Sequence, residues 1–360
     1  TVLPWRPTEG RVMRMYCDIT LPDGKPFEGN CRGYLQSVVK RARAMGLTAN
    51  VGCECEFYLF ETDENGNPTH IPLDHGGYFD IPPLDKGENI RRDICLSIEE
   101  MGLQPEHSHH ESGPGQNEVC FRYAPAVKSA DNLNTFKSAV KAIAARNGLY
   151  ASFMPKPLHD QSGNGLHVNM SLMRDGKNLF EGPLTPDSEA GHFVAGILAH
   201  ARELTAFCNP VPNSYARLGA NEAPLYISWS RQNRSQLVRL PSASGDLCRV
   251  ELRGPDPAGN PYLVIGLILA AGLDGIARKL PLAEPVNRNL FHPSAAAGLE
   301  SLPRTLREAI TVAAQSDFIA AELPLALQNK YFEYQTQLCH GYENAPDPAV
   351  WERTHGFLVI

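Results

Sequence analysis

The sequence predicts an α+β fold built on a sizeable, mostly antiparallel sheet. Short runs of β-branched and aromatic residues recur along the chain with helical stretches interspersed. Thirty glycines and 29 prolines punctuate them with sharp turns. A chain of 360 residues, 42% of them hydrophobic, is long enough to bury a large core. Taken in order, Arg11 to Thr20 reads as a strand before an Asp23-Gly24 turn. Arg32 to Met45 carries Leu35, Val38, Val39 and Ala42 near helical spacing and stops at Gly46. Val51 to Phe60 is a strand, and Glu61 to Asp80, rich in Gly, Asn and Pro, is a long loop. A helix over Asn89–Met101 ends at Gly102, and strands follow near Pro105–Glu111 and Glu118–Tyr123. Ala130 to Arg146 is a helix stopped by Asn147-Gly148. Further strands are expected at Ala151–Met154, Leu166–Leu172, Tyr226–Ser230, Gln236–Leu240 and Leu247–Arg253, with helices at Glu189–Cys208 and Pro261–Lys279 and a helical tail from Pro303.

Composition bounds the function. Lysine and arginine total 33 against 40 aspartates and glutamates, a net charge of −7, which argues against general nucleic-acid binding. No apolar run approaches the roughly 20 residues of a spanning helix. The longest, Leu263 to Leu273, is interrupted by glycines and reads as a buried helix, so no membrane association is expected. The first residues lack a charged head followed by an apolar stretch, so no signal peptide is read. Nine scattered cysteines, with one CxC and no CxxC, fit reduced thiols in a cytoplasmic protein.

The polar residues that carry chemistry fall into clusters. Side chains two apart on a strand share a face, so Glu54 and Glu56 point one way and Cys53 and Cys55 the other. Two adjacent carboxylates repel unless a cation lies between them, although a solvent-facing strand edge accounts for this pair equally well. Glu111 and Glu118 flank a Gly-Pro-Gly turn that can fold them together. His167, Asn169 and Ser171 share a strand face behind the glycine turn Gly163-Asn164-Gly165, where a lone histidine also suits a hydrogen-bonded core position, and Arg249, Glu251 and Arg253 alternate likewise, a pattern that a structural salt-bridge ladder would also give. Arg217 and Glu222 lie in a loop leading to Arg231, Arg234 and Arg239. Jointly, the carboxylates and histidine suit Mg²⁺ or Mn²⁺, and the arginines suit phosphate and carboxylate. Metal with an arginine clamp is equipment for phosphoryl transfer. No Walker-type GxxxxGK[ST] is present, which excludes a P-loop enzyme.

The blocks GCECEFYLFE, GGYFDIPP, HHESGPGQNEV, MPKPLHDQSGNGLHVNMSL, NSYARLGANEAPLYISWSRQNRS and RVELRGPDPAGNPYLVIGLILAAGLDGI occur in this order. Through them the chain resembles the glutamine synthetase catalytic domain from about Cys17 to its end. The resemblance implies a glutamine synthetase-type catalytic domain over residues 21–360, with a curved sheet flanked by helices. Residues 1–20 would be the remnant of a smaller N-terminal β-grasp domain and its linker, most of which the sequence lacks. It implies ATP-dependent ligation of ammonia to the γ-carboxylate of glutamate through a γ-glutamyl phosphate, with ATP and two or more Mg²⁺ or Mn²⁺ ions. One metal site would use Glu56, Glu111 and Glu118, and another Glu54, His167 and Glu251. Arg217 would hold the substrate α-carboxylate and Arg253 would face the γ-carboxylate. Arg234, Arg239 and Arg249 would neutralise phosphates. Glu222 is implied as the acid of a mobile flap, Tyr78 and Glu111 as part of the amine site, Gly163 as part of the glutamate loop, and Asn169 and Ser171 as contacts for nucleotide. Stacked hexameric rings of a homo-oligomer are also implied.

Some positions depart from the family pattern. Asn169 stands where members usually carry a second histidine, Ser162 replaces the loop asparagine, and the loop from Arg217 to Glu222 is about one residue shorter. Phe291 replaces the tyrosine that some bacterial members modify with a nucleotide. Two further readings therefore stay open: a γ-glutamyl ligase for an organic amine such as a polyamine or methylamine, and a non-catalytic scaffold or sensor.

Overall fold

The computed structural model describes residues 1–6 and 10–360. Along the chain run α1 (Cys31–Ala44), β1 (Thr48–Thr62), β2 (Pro68–Pro72), α2 (Glu88–Glu100), β3 (Pro105–His110), β4 (Gln116–Phe121), β5 (Ala124–Pro125), α3 (Ala126–Arg146), β6 (Leu149–Ser152), β7 (Leu166–Arg174) and β8 (Lys177–Asn178). Then come α4 (Glu189–Ala199), α5 (Ala201–Cys208), α6 (Ser214–Arg217), β9 (Trp229–Arg231), β10 (Val238–Leu240), β11 (Val250–Leu252), α7 (Pro261–Arg278), α8 (Leu306–Ala314), α9 (Asp317–Glu322), α10 (Leu325–Glu343) and α11 (Pro348–Glu352). The strands join in the order β3-β4-β1-β7-β11-β10-β9, and β2, β5 and β6 also pair with β1. Among the described residues every strand pair is antiparallel except β9 with β10. The α+β expectation holds.

The strand β1 organises the molecule. Its first half pairs with β7, placing Glu54 opposite His167 and Gly52 opposite Asn169. Its second half pairs with β4, placing Glu56 opposite Glu118. Glu251 on β11 lies opposite Asn169 on the far side of β7. On the other face of β1, Val51, Cys53, Cys55 and Phe57 are buried in the main apolar core. There Phe57 meets Phe136 of α3 edge-on, ring centres 6.1 Å apart. The alternation that faces carboxylates one way and thiols the other thus separates the site from the core.

Behind the sheet, α7 packs against α1 and α4. By length and composition α7 is apolar enough to cross a membrane, but most of it is buried within the protein. Its glycines have a packing reason. A Cβ at Gly275 would lie 2.1 Å from the His192 carbonyl oxygen, and one at Gly196 would lie 2.2 Å from that of Ala271. The backbones of α4 and α7 therefore meet directly.

Three elements differ from expectation. Arg11–Thr20 is not a strand: Met13 and Thr20 form only isolated bridges, to Val2 and Pro26. Its side chains fasten to a helix instead, with the Tyr16 hydroxyl donating to the Asp131 carbonyl of α3 at 2.7 Å. The supposed loop 61–80 contains β2, which folds back on β1. The Asp63 carboxylate closes that turn by accepting from the amides of Asn65 and Asn67 at 2.9 and 2.7 Å. The prolines at both ends of β2 suit an edge strand. The helix expected over Glu189–Cys208 is two helices, divided at His200. The His200 ring is held by Glu203 at 2.7 Å and Asp274 at 2.8 Å.

Candidate active site

A cavity of about 260 Å³ opens over the polar face of β1. Glu54, Glu56, Glu111, Glu118, His167, Tyr78, Gly163, Arg217, Glu222, Arg234, Arg239, Arg249 and Arg253 all line it. Stretches as distant as Glu54 and Arg253 are brought to one place by the β4-β1-β7-β11 ladder. An adjoining cavity of about 250 Å³ is lined by Asn169, Ser171 and Arg249, and shares Glu54 and His107 with the first. Two of the charged residues singled out from sequence are absent from both linings: Arg231 is exposed outside them, and Glu251 lies behind them. Glu251 is fully buried.

The carboxylates form two donor sets that share a member. Ligand atoms of Glu56, Glu111 and Glu118 lie within 4.8 Å of one another, as do those of Glu54, Glu118 and His167. Glu118 thus belongs to both. Glu251, by contrast, is already neutralised: one oxygen accepts from Arg253 Nη1 at 2.9 Å and the other from Arg239 Nε. Its nearer oxygen is 3.7 Å from His167 Nδ1. His167 Nδ1 is 3.1 Å from Glu54 Oε2, and Asn169 donates to Glu54 Oε1 at 3.0 Å. Asn169 also accepts from Arg249 Nε at 2.8 Å. The asparagine therefore bridges an acid and a base, a task its two-sided amide performs without charge.

Electrostatics show that the first donor set lacks positive charge. Burial, reinforced by Glu111, raises the pKa of Glu56. Burial and the neighbouring Glu54, Glu56 and Glu111 push Glu118 well above the carboxylate range. Burial also disfavours the charged form of Glu54, yet its hydrogen bonds to His167 and Asn169, with the His167 and Arg249 charges, win and hold it near a pKa of about 2. Oxygen-rich, crowded and short of compensating charge, the set fits a hard divalent cation. A direct consequence follows for binding. The raised pKa values of Glu56 and Glu118 make cation entry compete with protons above the ordinary carboxylate range, so Mn²⁺ affinity rises with pH there. Calorimetry in buffers of different ionisation enthalpy is expected to show net proton release. A titration without it would contradict this charge distribution.

The arginines stand opposite. Arg217 is buried, donating to the carbonyls of Gly254 and Arg253 at 2.8 and 3.2 Å, and burial lowers its pKa. A Cβ at Gly163 would meet the Pro155 carbonyl at 2.5 Å and Arg217 Cγ at 2.9 Å, so only glycine lets this loop pass. Glu222 is exposed on a loop whose Gly219 and Asn221 have φ of +79° and +50°. Asn221 ties that loop to the Gln161 carbonyl at 2.9 Å. Arg234 donates to the Tyr78 hydroxyl at 3.4 Å.

This arrangement of β1, its two carboxylate sets and facing arginines coincides with a family match. The family profile described as glutamine synthetase, catalytic domain, matches residues 28–354. The chain belongs to the glutamine synthetase family. It is 51% identical to the glutamine synthetase of Methanosarcina mazei over 330 residues, 89% of this chain and 74% of that one. It is 50% identical to that of Clostridium saccharobutylicum over 317 residues, 86% of this chain and 72% of the other. Among solved structures, "GmaS/ADP complex-Conformation 1" is similar with a TM-score of 0.85 at 33% identity, over 98% of this chain and 82% of that one. The cryoEM structure of Plasmodium falciparum glutamine synthetase gives a TM-score of 0.81 at 25% identity, over 94% and 81%.

Within this glutamine synthetase fold the geometry brings in residues to which the sequence reading assigned no role. His109 lies 2.7 Å from Glu111 Oε1 and 3.8 Å from Glu118 Oε1. Gln116 donates to Glu56 Oε2 at 3.2 Å, and the Gly165 amide donates to the same oxygen at 2.7 Å. His107, His109 and Glu111 are two apart, so the β3 alternation already carried the signal for His109. Glu106 lines the adjoining cavity, and nothing local in the sequence marks it.

Proposed function

We propose that this chain catalyses ATP-dependent ligation of ammonia to the γ-carboxylate of glutamate. The observation that carries the reading is a single cavity in which Glu54, Glu56, Glu111 and Glu118 face Arg217, Arg234, Arg239, Arg249 and Arg253. A carboxylate is a poor electrophile because it is already negative. Transfer of the γ-phosphoryl group of ATP to one of its oxygens, with release of ADP, makes an acyl phosphate with a good leaving group. An amine nitrogen then attacks the carbonyl carbon and phosphate departs.

In this reading Arg217 binds the α-carboxylate and Gly163 leaves room for the substrate loop. Arg253 faces the γ-carboxylate. Arg234, Arg239 and Arg249 neutralise the phosphates, whose nucleotide occupies the adjoining cavity beside Asn169 and Ser171. Glu56, Glu111 and Glu118 would hold one divalent cation, and Glu54, His167 and Glu118 another, with Glu251 anchoring the arginines beside them. Bound cations supply further neutralisation of phosphate charge. Tyr78 and Glu111 bind the ammonium, and Glu222 accepts its proton so that the free amine attacks. The loop carrying Glu222 keeps water from the acyl phosphate. Assembly as a homo-oligomer of stacked hexameric rings is part of the same proposal.

A coupled phosphate-release assay on the full-length protein tests it, with glutamate, ATP, Mg²⁺ or Mn²⁺ and a panel of amines. Ammonia is expected to support the fastest turnover. Turnover with methylamine or a polyamine but not ammonia would transfer the reading to an organic amine. Absence of turnover with every amine would leave only a scaffold.

A further inference from the structure

Residues 77–80 form a tight turn at the rim of the cavity, in which the Asp80 amide donates to the Gly77 carbonyl at 3.0 Å. Its third residue, Phe79, has a φ of +61°. That position of a turn normally takes glycine or asparagine, and a bulky side chain is strained there. The backbone is held in place by the Phe79 amide, which donates to the His110 carbonyl at 3.0 Å. Phe79 is 60% exposed, so burial of apolar surface does not explain it.

What the ring does touch is His109. The two rings are nearly parallel, 11° apart, with centres 4.6 Å from each other. Tyr78 meets His109 edge-on at 5.6 Å, and His107 flanks it at 6.0 Å. His109 Nε2 is 2.7 Å from Glu111 Oε1, while its buried Nδ1 has no hydrogen-bond partner. One polar contact leaves an imidazole free to rotate about it. The remaining orientation must come from the neighbouring rings.

We propose that Phe79 is a positioning residue for the amine end of the site: its ring fixes the plane of the His109 imidazole, which in turn aims the Glu111 carboxylate at the amine. This rests on the ligase reading above. Strain at Phe79 is then the local cost of that alignment.

The test compares F79N and F79Y in the full-length protein. Asparagine accepts a positive φ, so F79N relieves the turn while removing the ring. F79N is expected to melt at or above the wild-type temperature, yet to raise the KM for amine about tenfold while the KM values for ATP and glutamate stay within about twofold. F79Y, which keeps the stack, is expected to behave as wild type. An F79N protein with an unchanged amine KM overturns the inference. Should F79N melt below wild type, F79L, which keeps apolar bulk without an aromatic face, carries the same comparison. With the kinetics above run at saturating Mn²⁺, Mn²⁺ calorimetry separates the two readings: F79N is expected to bind Mn²⁺ several-fold more weakly than wild type. An inert wild type fails the ligase proposal alone, whereas wild-type Mn²⁺ affinity in F79N would show that Glu111 does not depend on the stack and would overturn the positioning role.

Discussion

Replacing Gly165 by alanine lowers kcat/KM by about two to three orders of magnitude, because one methyl group displaces several site residues together. A Cβ there would sit 2.8 Å from Arg217 Nη2, 2.9 Å from His167 Nε2 and 3.4 Å from Glu56 Oε1. Those atoms belong to the residues assigned to substrate carboxylate and to both cation sets. Gly165 is not among the glycines with positive φ, so alanine fits the backbone and the fold is expected to survive. Gly182, which has open space around its would-be Cβ, supplies the control. Steady-state kinetics beside thermal melting decide the matter. G165A turning over within about threefold of G182A would mean that these side chains do not act as one unit.

The Glu118→Gln substitution is expected to weaken Mn²⁺ binding by at least about 100-fold, beyond what loss of an outer contact costs. Its weight comes from shared use: Glu118 belongs to the Glu56–Glu111 set and to the Glu54–His167 set. The same change has the opposite effect on the metal-free protein. Burial and three carboxylate neighbours raise the Glu118 pKa, so the folded state holds a proton that the unfolded chain releases. Stability of the EDTA-treated protein therefore falls as pH rises from the ordinary carboxylate range through the raised value. Glutamine removes that penalty, so E118Q is expected to melt a few degrees higher than wild type in EDTA at pH 8, with a flatter pH dependence. A variant that loses stability in EDTA while keeping its Mn²⁺ affinity would show that Glu118 is a structural group instead.

The sequence was most legible where a strand period and chemistry coincide. Cys-Glu-Cys-Glu on β1 announces two faces, and the structure buries the cysteines while turning Glu54 and Glu56 to the cavity. Arg249, Glu251 and Arg253 alternate in the same way, which left a salt-bridge ladder open and the Glu251–Arg253 pair legible, but the sequence could not tell that Arg239 takes the other Glu251 oxygen. That depends on β10 lying beside β11, a pairing between residues separated by a long turn. Glu118 was found as an acid beside a turn. Its double membership is a matter of register between β1 and β4 that no local window contains. Arg11–Thr20 failed for a similar reason: strand-like residues make a strand only when an edge is within reach. Phe79 was invisible because its meaning lies in a backbone angle that sequence chemistry argues against.

The placement of Glu54 opposite His167 and Glu56 opposite Glu118 ties the two proposed cation sets to the hydrogen-bond ladder itself. Spacing between the two proposed cations would be inherited from the pleat, whereas Tyr78 and Glu222, proposed for the amine and the flap, sit on separate loops. Those loops can be rewritten, residue by residue, for a different nucleophile without re-measuring the electrostatic engine underneath.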